Sequence, residues 1–512
     1  MRFYVTTAID YVNSRPHLGA AYEKVTTDVL ARYHRAVGRD VLFLMGNDEH
    51  GQKIEKAARD QGLEPLAWCD RMERVFREAW DALGCSYDVF IRTTEARHRR
   101  AVQEFLVRLK ANDDLYRSTY RGWYCVGCEA FKKEDELVDG RCAEHPAREP
   151  SWLEEENWYF RLTKYREPLL RHYAENPGFV RPEFRKNELL ALLESGLQDI
   201  SVSRAGATWG VSFPFDEASK VYVWFDALIN YATGAGFPDD AASFAKWWPA
   251  DVHVVGKDIT RFHCIVWPAM LMAAGLPLPK VVFGHGYVNL PGGRMSKSAG
   301  GFVEPTELAR RYGADALRYY LCREAAWGQD LEFSEDRLRI RINSDLANGF
   351  GNLLSRVAAM AHKYQGGAVR ADVAASPLVR DARAAIARVR DAFERFDLQG
   401  AAAIAVGLAE AGNAYVDARA PWALAKDPAR AAELDLVLSE LAHLLLVASG
   451  LLLPFMPVQA AEATRRLSGV APDPRSHLIS LERATIPPDR PLEQGPPLFP
   501  RIEAPRPEAA SG

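Results

Sequence analysis

Phe3-Tyr4-Val5-Thr6-Thr7-Ala8-Ile9, then His17-Leu18-Gly19-Ala20, then Val41-Leu42-Phe43-Leu44-Met45 form the opening of the chain. The first and last runs are short, apolar and rich in β-formers. Between them lie a loop with Asn13, Ser14 and Pro16 and a helical stretch expected over about 18–37. Strand, loop, helix, strand is how a doubly wound parallel sheet begins. The pattern resumes late, with strand-like runs at 221–225, 252–255 and 281–283 and a helix expected over about 260–274. The sheet is therefore expected to be split by an insertion.

Working outward gives six segments. Residues 1–115 form the first half of an α/β domain, 116–215 the insertion and 216–285 the second half. Residues 286–345 follow as a loop-bearing region. Over 346–485 the chain turns Ala- and Leu-rich with helical spacing, as in 401–416 and 434–453, which predicts an all-α bundle. Residues 486–512 hold Pro-Pro, Gly-Pro-Pro and Pro-Arg-Pro and read as an extended tail.

Composition narrows the class. The chain has 512 residues, 48% hydrophobic and 26% charged, with formal net charge −4. It can bury several cores, and it is no bulk polycation, so any nucleic-acid contact must use local basic patches. The longest apolar run, 444–453, is about half of the ~20 residues that span a bilayer, and a buried helix accounts for it. Residues 1–9 do not read as a signal peptide. Cys69, Cys85, Cys264 and Cys322 are scattered, which fits a reducing cytoplasm and no membrane. The basic run His98-Arg99-Arg100 reads as a solvated helix face.

Two features carry chemistry. His17 and Gly19 open the first helix, where free N–H groups and a partial positive charge suit phosphate. Alone they are a weak signal. Arg294-Met295-Ser296-Lys297-Ser298, flanked by Gly292-Gly293 and Gly300-Gly301, is a loop with two cations that can close over a triphosphate. Separately, Cys125-x-x-Cys128 and Cys142-x-x-His145 stand thirteen residues apart. Three thiolates and an imidazole can enclose a tetrahedral Zn²⁺ with no open position, a structural site. It would supply folding free energy to a small insertion.

These residues resemble a known family. His17-Leu18-Gly19 resembles the HIGH motif of class I aminoacyl-tRNA synthetases, and residues 294–298 resemble their KMSKS loop. Gly46-Asn47-Asp48-Glu49-His50-Gly51, Tyr222-Val223-Trp224-Phe225-Asp226-Ala227, Gly256-Lys257-Asp258-Ile259 and Trp267-Pro268-Ala269-Met270 are similar to strings of the methionyl-tRNA synthetases in particular. The resemblance runs from about Phe3 to Glu503 and includes Leu498-Phe499-Pro500-Arg501-Ile502-Glu503. It implies a Rossmann-type α/β domain with a zinc-binding insertion, followed by an α-helical anticodon-binding bundle. It implies a cytoplasmic ligase that activates L-methionine with ATP and Mg²⁺ and charges tRNA(Met).

The resemblance also implies roles. His17, Gly19, Arg294 and Lys297 would be catalytic. ATP would be held by His17, Gly19, Glu23, Gly256, Asp258 and Lys297. Tyr11, Trp224, Tyr231 and His263 would form the methionine pocket with Ala8, Ile9, Ala227 and Ile259, and Asp48 would pair with the α-ammonium. A thioether suits such a pocket, because shape and polarisable contacts must recognise it. Asn352 and Arg356, four apart on one helix face, and Trp422 would bind the anticodon CAU by stacking and base-edge hydrogen bonds. The absence of the family's appended C-terminal module suggests a monomer.

The chain departs from the family pattern at named places. Arg294 stands for Lys, which keeps the charge with another donor geometry. Ile9 and Leu228 stand where many relatives carry Leu and Pro. Ala20 stands for the second His of the HIGH motif. Three readings follow: an active methionyl-tRNA synthetase, a divergent paralogue that binds tRNA or methionine with weak or no aminoacylation, or an adenylating enzyme on the same fold.

Overall fold

The computed structural model describes residues 1–503 apart from 126, 128–129, 133, 135–136, 144–148, 291–292, 295–302 and 489. Cys128, His145 and Lys297 lie outside the described residues, and of Arg294 only the backbone course is described.

A parallel sheet organises the first half of the chain. Its strands are β1 (Arg2–Thr7), β2 (Asp10–Tyr11), β3 (Asp40–Asp48), β4 (Val89–Arg92), β5 (Val180–Arg181), β6 (Val252–Gly256) and β7 (Val281–His285). Pairing runs β5-β7-β6-β1-β3, all parallel. β4 pairs the far side of β3, and β2 continues β1's side by pairing Asn47 and Asp48. Strand order thus reverses between β1 and β6. In such sheets that crevice, at the carboxyl ends of the strands, is where ligands bind.

The alternation of side chains explains why both faces are covered. Phe3, Val5, Val41, Phe43 and Met45 enter one core, while Tyr4, Leu42 and Leu44 enter the other. The first core is continuous with helix α1 (Leu18–Ala36) and the C-terminal bundle. The second is continuous with helix Ala96–Ala111, Trp267–Ala273 and the insertion.

The insertion begins with an antiparallel sheet of Leu115–Cys125, Ala130–Lys132, Ser151–Phe160 and Ile200–Ser201. It returns one strand, β5, to the parallel sheet. The run expected as a strand at 221–225 is not one. Asp216–Val221 pairs in a small antiparallel sheet, and Val223–Leu228 is a helix. Its β-branched and aromatic residues suit a strand locally, but the helix buries Phe225 and Asp226 together, and packing overrides propensity.

The bundle holds α2 (Ala314–Arg323), α3 (Asn352–Gln365), α4 (Pro377–Glu394), α5 (Leu398–Arg419), α6 (Ala431–Leu452) and α7 (Pro457–Ser468). α2 leads in from the loop-bearing region and packs against α1, α5 and α7. α6 is long and apolar enough to cross a membrane, yet it lies buried inside the bundle. A π-helical stretch, Ile342–Gly351, runs straight into α3. Among its described residues, up to 503, the tail carries no helix or strand. It still buries Leu498 and Phe499, and the Ile502 backbone pairs with the Asn343 amide at 2.8 and 2.9 Å.

One buried ion cluster joins the sheet domain to the bundle. The Arg318 guanidinium on α2 is fully buried. It donates to Asp28 Oδ2 on α1 at 2.7 Å and to the carbonyls of Leu83, Pro454 and Phe455, each at 3.1 Å. Arg32 takes the same Asp28 oxygen at 2.6 Å, and Ser86 gives two hydrogen bonds to the other. Burial pushes the Asp28 carboxyl up, but the two guanidiniums and Ser86 outweigh it and hold it well below the usual range.

Candidate active site

Three residues shape the first turn of α1. His17 is its N-cap, and the ring Nδ1 accepts the Ala20 N–H at 3.3 Å. A Cβ on Gly19 would stand 3.0 Å from that ring, so glycine lets the imidazole fold over the helix end. No acidic residue sits in this turn to cancel its partial positive charge. The chain returns here just after residue 302: Leu18 N donates to Val303 O at 3.1 Å, and Arg15 meets Glu304 at 3.1 Å. Residues 15–18 are therefore neighbours of Val303 and Glu304, which come later in sequence than residues 294–298.

Across the crevice, Gly256 ends β6. A Cβ there would lie 2.6 Å from Asp258 Oδ1, so the carboxylate can turn back over the strand end. Asp258 is exposed at that turn. Glu23 is different. It is buried, taking Lys24 Nζ at 2.8 Å and His285 Nε2 at 3.0 Å. Burial raises its carboxyl, but Lys24 and the hydrogen bond from His285 more than offset it, holding it at about 2. Glu23 thus supports the crevice floor. Lys24 also bonds Asp10 at 2.9 Å and the Ala8 carbonyl at 2.8 Å. For Asp10, burial, reinforced by Glu23, outweighs Lys24 and pushes the carboxyl up to about 6.

Beside this crevice lies a cavity of about 110 Å³. Its lining is mostly apolar and aromatic. Ala8, Ile9 and Tyr11 come to it from the β1 exit, and Asp48 from the end of β3. Trp224 and Ala227 come from the helix Val223–Leu228, Tyr231 from the next short helix, and Ile259 and His263 from the far wall. Trp224 stacks on Phe262 with centroids 4.8 Å apart. His263 Nδ1 lies 3.0 Å from the Ile259 carbonyl, which can only accept, so Nδ1 carries the proton. Burial pushes this imidazole down to about 4, so it is neutral at pH 7 and Nε2 accepts. The Tyr231 hydroxyl therefore donates to Nε2, at 2.7 Å.

Two comparisons decide the family. Residues 3–150 and 135–358 match tRNA synthetases class I (M), and residues 365–504 match the anticodon binding domain of methionyl tRNA ligase. The chain is 42% identical to the methionine–tRNA ligase of Thermotoga maritima, over 98% of this chain and 81% of that one. It is also 42% identical to that of Rhizobium meliloti, over 98% of both. The Mycobacterium tuberculosis methionyl-tRNA synthetase in complex with methionyl-adenylate superposes with TM-score 0.93 at 41% identity, covering 98% of this chain and all of that one. The chain belongs to the methionyl-tRNA synthetases. It is an aminoacyl-tRNA ligase that activates methionine with ATP and attaches it to tRNA(Met), and the divergent-paralogue reading is not favoured.

In this methionyl-tRNA synthetase, Asn352 is exposed at the start of α3. Arg356, one turn on, reaches Asn413 and Asp417 on α5, both at 3.4 Å. α5 then ends at Ala420, and Pro421 starts a turn that leaves Trp422 43% exposed. An indole that open on a helical bundle is not a core residue. Of the zinc-motif residues, Cys125 ends its strand and Cys142 closes the hairpin Leu137–Val138/Arg141–Cys142, both buried.

Sequence reading missed several residues. Lys53, Val223 and Asn230 also line the cavity, although Lys53 stands only two residues past the 46–51 string. The reading of 98–100 as a solvated face fails at His98. Arg99 and Arg100 are exposed, but His98 is fully buried, with Nε2 2.9 Å from Asp226. The missed signal is helical phase: His98 shares a face with Ala101, Val102 and Phe105, all core residues.

Proposed function

We propose that the cavity holds the methionine side chain and its α-amino group, with Asp48 on the ammonium and ATP lying across the strand-order reversal. The cavity carries this reading, since it gathers aromatic and apolar walls around one carboxylate. His17, Gly19, Gly256 and Asp258 hold the nucleotide, Glu23 acts from beneath, and Arg294 and Lys297 close over the triphosphate.

Activation forms one bond and breaks one. A methionine carboxylate oxygen attacks the α-phosphorus, and pyrophosphate leaves with the bridging electron pair. This needs in-line positioning and cations on the developing charge more than a base. The positive end of α1 and Lys297 supply these. The triphosphate brings Mg²⁺, which neutralises further phosphate charge. A ribose hydroxyl of the terminal adenosine then attacks the adenylate carbonyl, and AMP leaves. Asn352, Arg356 and Trp422 read the anticodon CAU.

Cys125, Cys128, Cys142 and His145 are the proposed structural Zn²⁺ ligands. Two buried thiols, Cys125 at a strand end and Cys142 in the hairpin that follows in sequence, suit a thiophilic ion. We read the enzyme as a cytoplasmic monomer. The test is methionine-dependent ATP–pyrophosphate exchange, followed by charging of tRNA(Met). Tyr231→Phe should raise the methionine KM about tenfold and leave the ATP KM unchanged, because His263 Nε2 in the cavity wall loses its donor and is left buried without that partner. A Tyr231→Phe enzyme with an unchanged methionine KM would remove this cavity as the methionine site.

A further inference from the structure

Behind the cavity, away from its open space, three segments meet on one carboxylate. Asp226 is fully buried and lies in the helix Val223–Leu228, two residues after Trp224 and one before Ala227. Its Oδ2 accepts from His50 Nδ1 at 2.6 Å, and its Oδ1 from His98 Nε2 at 2.9 Å. His50 follows Asp48 by two residues where the chain leaves β3. His98 Nδ1 continues to Thr233 Oγ1 at 3.2 Å, in the short helix that also carries Tyr231.

Every wall tied to this carboxylate lines the cavity through a nearby residue: Asp48, Trp224, Ala227 or Tyr231. None of His50, Asp226 and His98 lines it. The carboxylate is fully ionised: burial raises it, but the two imidazoles more than offset this and hold it at about 2. A buried charge with donors on both oxygens has one low-energy arrangement, and moving either donor leaves it desolvated and unpaired. That stiffness costs little here because the ring of His98 is packed among core residues and His50 sits 5.7 Å from the Trp209 ring.

We propose that Asp226, held between His50 and His98, is a positioning residue that fixes the spacing of the methionine cavity's walls and so sets methionine affinity without touching the substrate. The proposal rests on the assignment of that cavity to methionine. Nucleotide binding is served by α1 and the β6 end, which this cluster does not contact, so its loss should act on one substrate only.

The experiment measures KM for methionine and for ATP in pyrophosphate exchange, and binary methionine binding by calorimetry, on the full chain. Asp226→Asn should raise the methionine KM and Kd about tenfold or more and move the ATP KM by less than about threefold, since misplacing a binding group by a fraction of an ångström acts on the group it places. His98→Gln keeps an N–H near the Nε2 position and should stay within about threefold of the parent for methionine, whereas His98→Leu should show the full loss. Trp224→Ala separates the two readings. If it leaves methionine binding unchanged, the cavity assignment fails. If it weakens binding while Asp226→Asn and His98→Leu do not, the positioning role fails and the cavity stands. Parallel loss for ATP and methionine would mean a general structural role and also overturns the proposal. Should Asp226→Asn not fold, equal methionine KM values for His98→Gln and His98→Leu would overturn it alone.

Discussion

Helix α1 carries two buried ion clusters four residues apart, and they are built in opposite ways. Around Asp28, both carboxylate oxygens are saturated by Arg32, Arg318 and Ser86. Around Lys24, one ammonium serves Asp10, Glu23 and the Ala8 carbonyl, and Asp10 Oδ2 finds no hydrogen-bond partner among the described residues. The first carboxylate lies far below its ordinary range and the second is pushed up to about 6. Saturation makes a rigid joint at the domain junction. Incomplete saturation leaves a cluster at the crevice that can change its charge near physiological pH. The same helix is thus locked where it meets the bundle and adjustable where it meets the crevice.

The sharpest way to break the contrast is Arg318→Met. It leaves the Asp28 charge buried with half its compensation and should destabilise the chain by about 3–5 kcal/mol, read as a lower urea midpoint. A shift below about 1 kcal/mol would mean that the joint is not held by charge. Lys24→Met should act on chemistry more than on folding. It frees the Ala8 carbonyl and leaves two carboxylates facing each other, so exchange should fall about tenfold, with most of the loss recovered at lower pH as one of them takes a proton. A loss independent of pH would refute the adjustable reading of the crevice cluster.

Ala20→His restores an imidazole to the first turn of α1. The exchange rate should rise, by at most about 10²-fold if the position carries a full transition-state donor, with the urea midpoint unchanged. A rate within about twofold of the parent would show that His17 and Lys297 already cover that charge. The smallest effect is the slope of stability against pH. Asp10 has a folded pKa raised from 3.8 to about 6. Its contribution is therefore present at low pH and is lost as pH rises through about 6. Asp10→Asn should flatten that part of the thermal-stability profile between pH 4 and 7. Asp28 is depressed, so its contribution holds above about pH 4 and is lost only on further acidification. Equal slopes for the two Asn variants across that window would erase the distinction.

Much of this was legible because local pattern and tertiary outcome agree. The runs at 3–9 and 41–45 alternate between two cores, as a strand covered on both faces should, and α1 begins at Leu18 behind a His cap. The run at 221–225 misled because its residues suit a strand by themselves, whereas the helix buries Val223, Phe225 and Leu228 and places Asp226 between two histidines. Lys24 and Arg318 could not be read as core residues at all. Their burial depends on partners up to 290 positions away in sequence, which no local window contains. Lys53 reaches the cavity only because helix Gln52–Asp60 turns back over the β3 exit.

The position of Asp28 on α1 has a mechanical consequence. From Asp28 to His17 the helix is about 16 Å long at ~1.5 Å per residue. A tilt of about 2° around the locked joint would swing the His17 ring by about 0.6 Å, comparable with the ~0.5 Å tolerance of a productive site. Arg318 is bonded to the carbonyls of Pro454 and Phe455, between α6 and α7. α1 is thus a pointer pivoted on the bundle, with His17 at its tip.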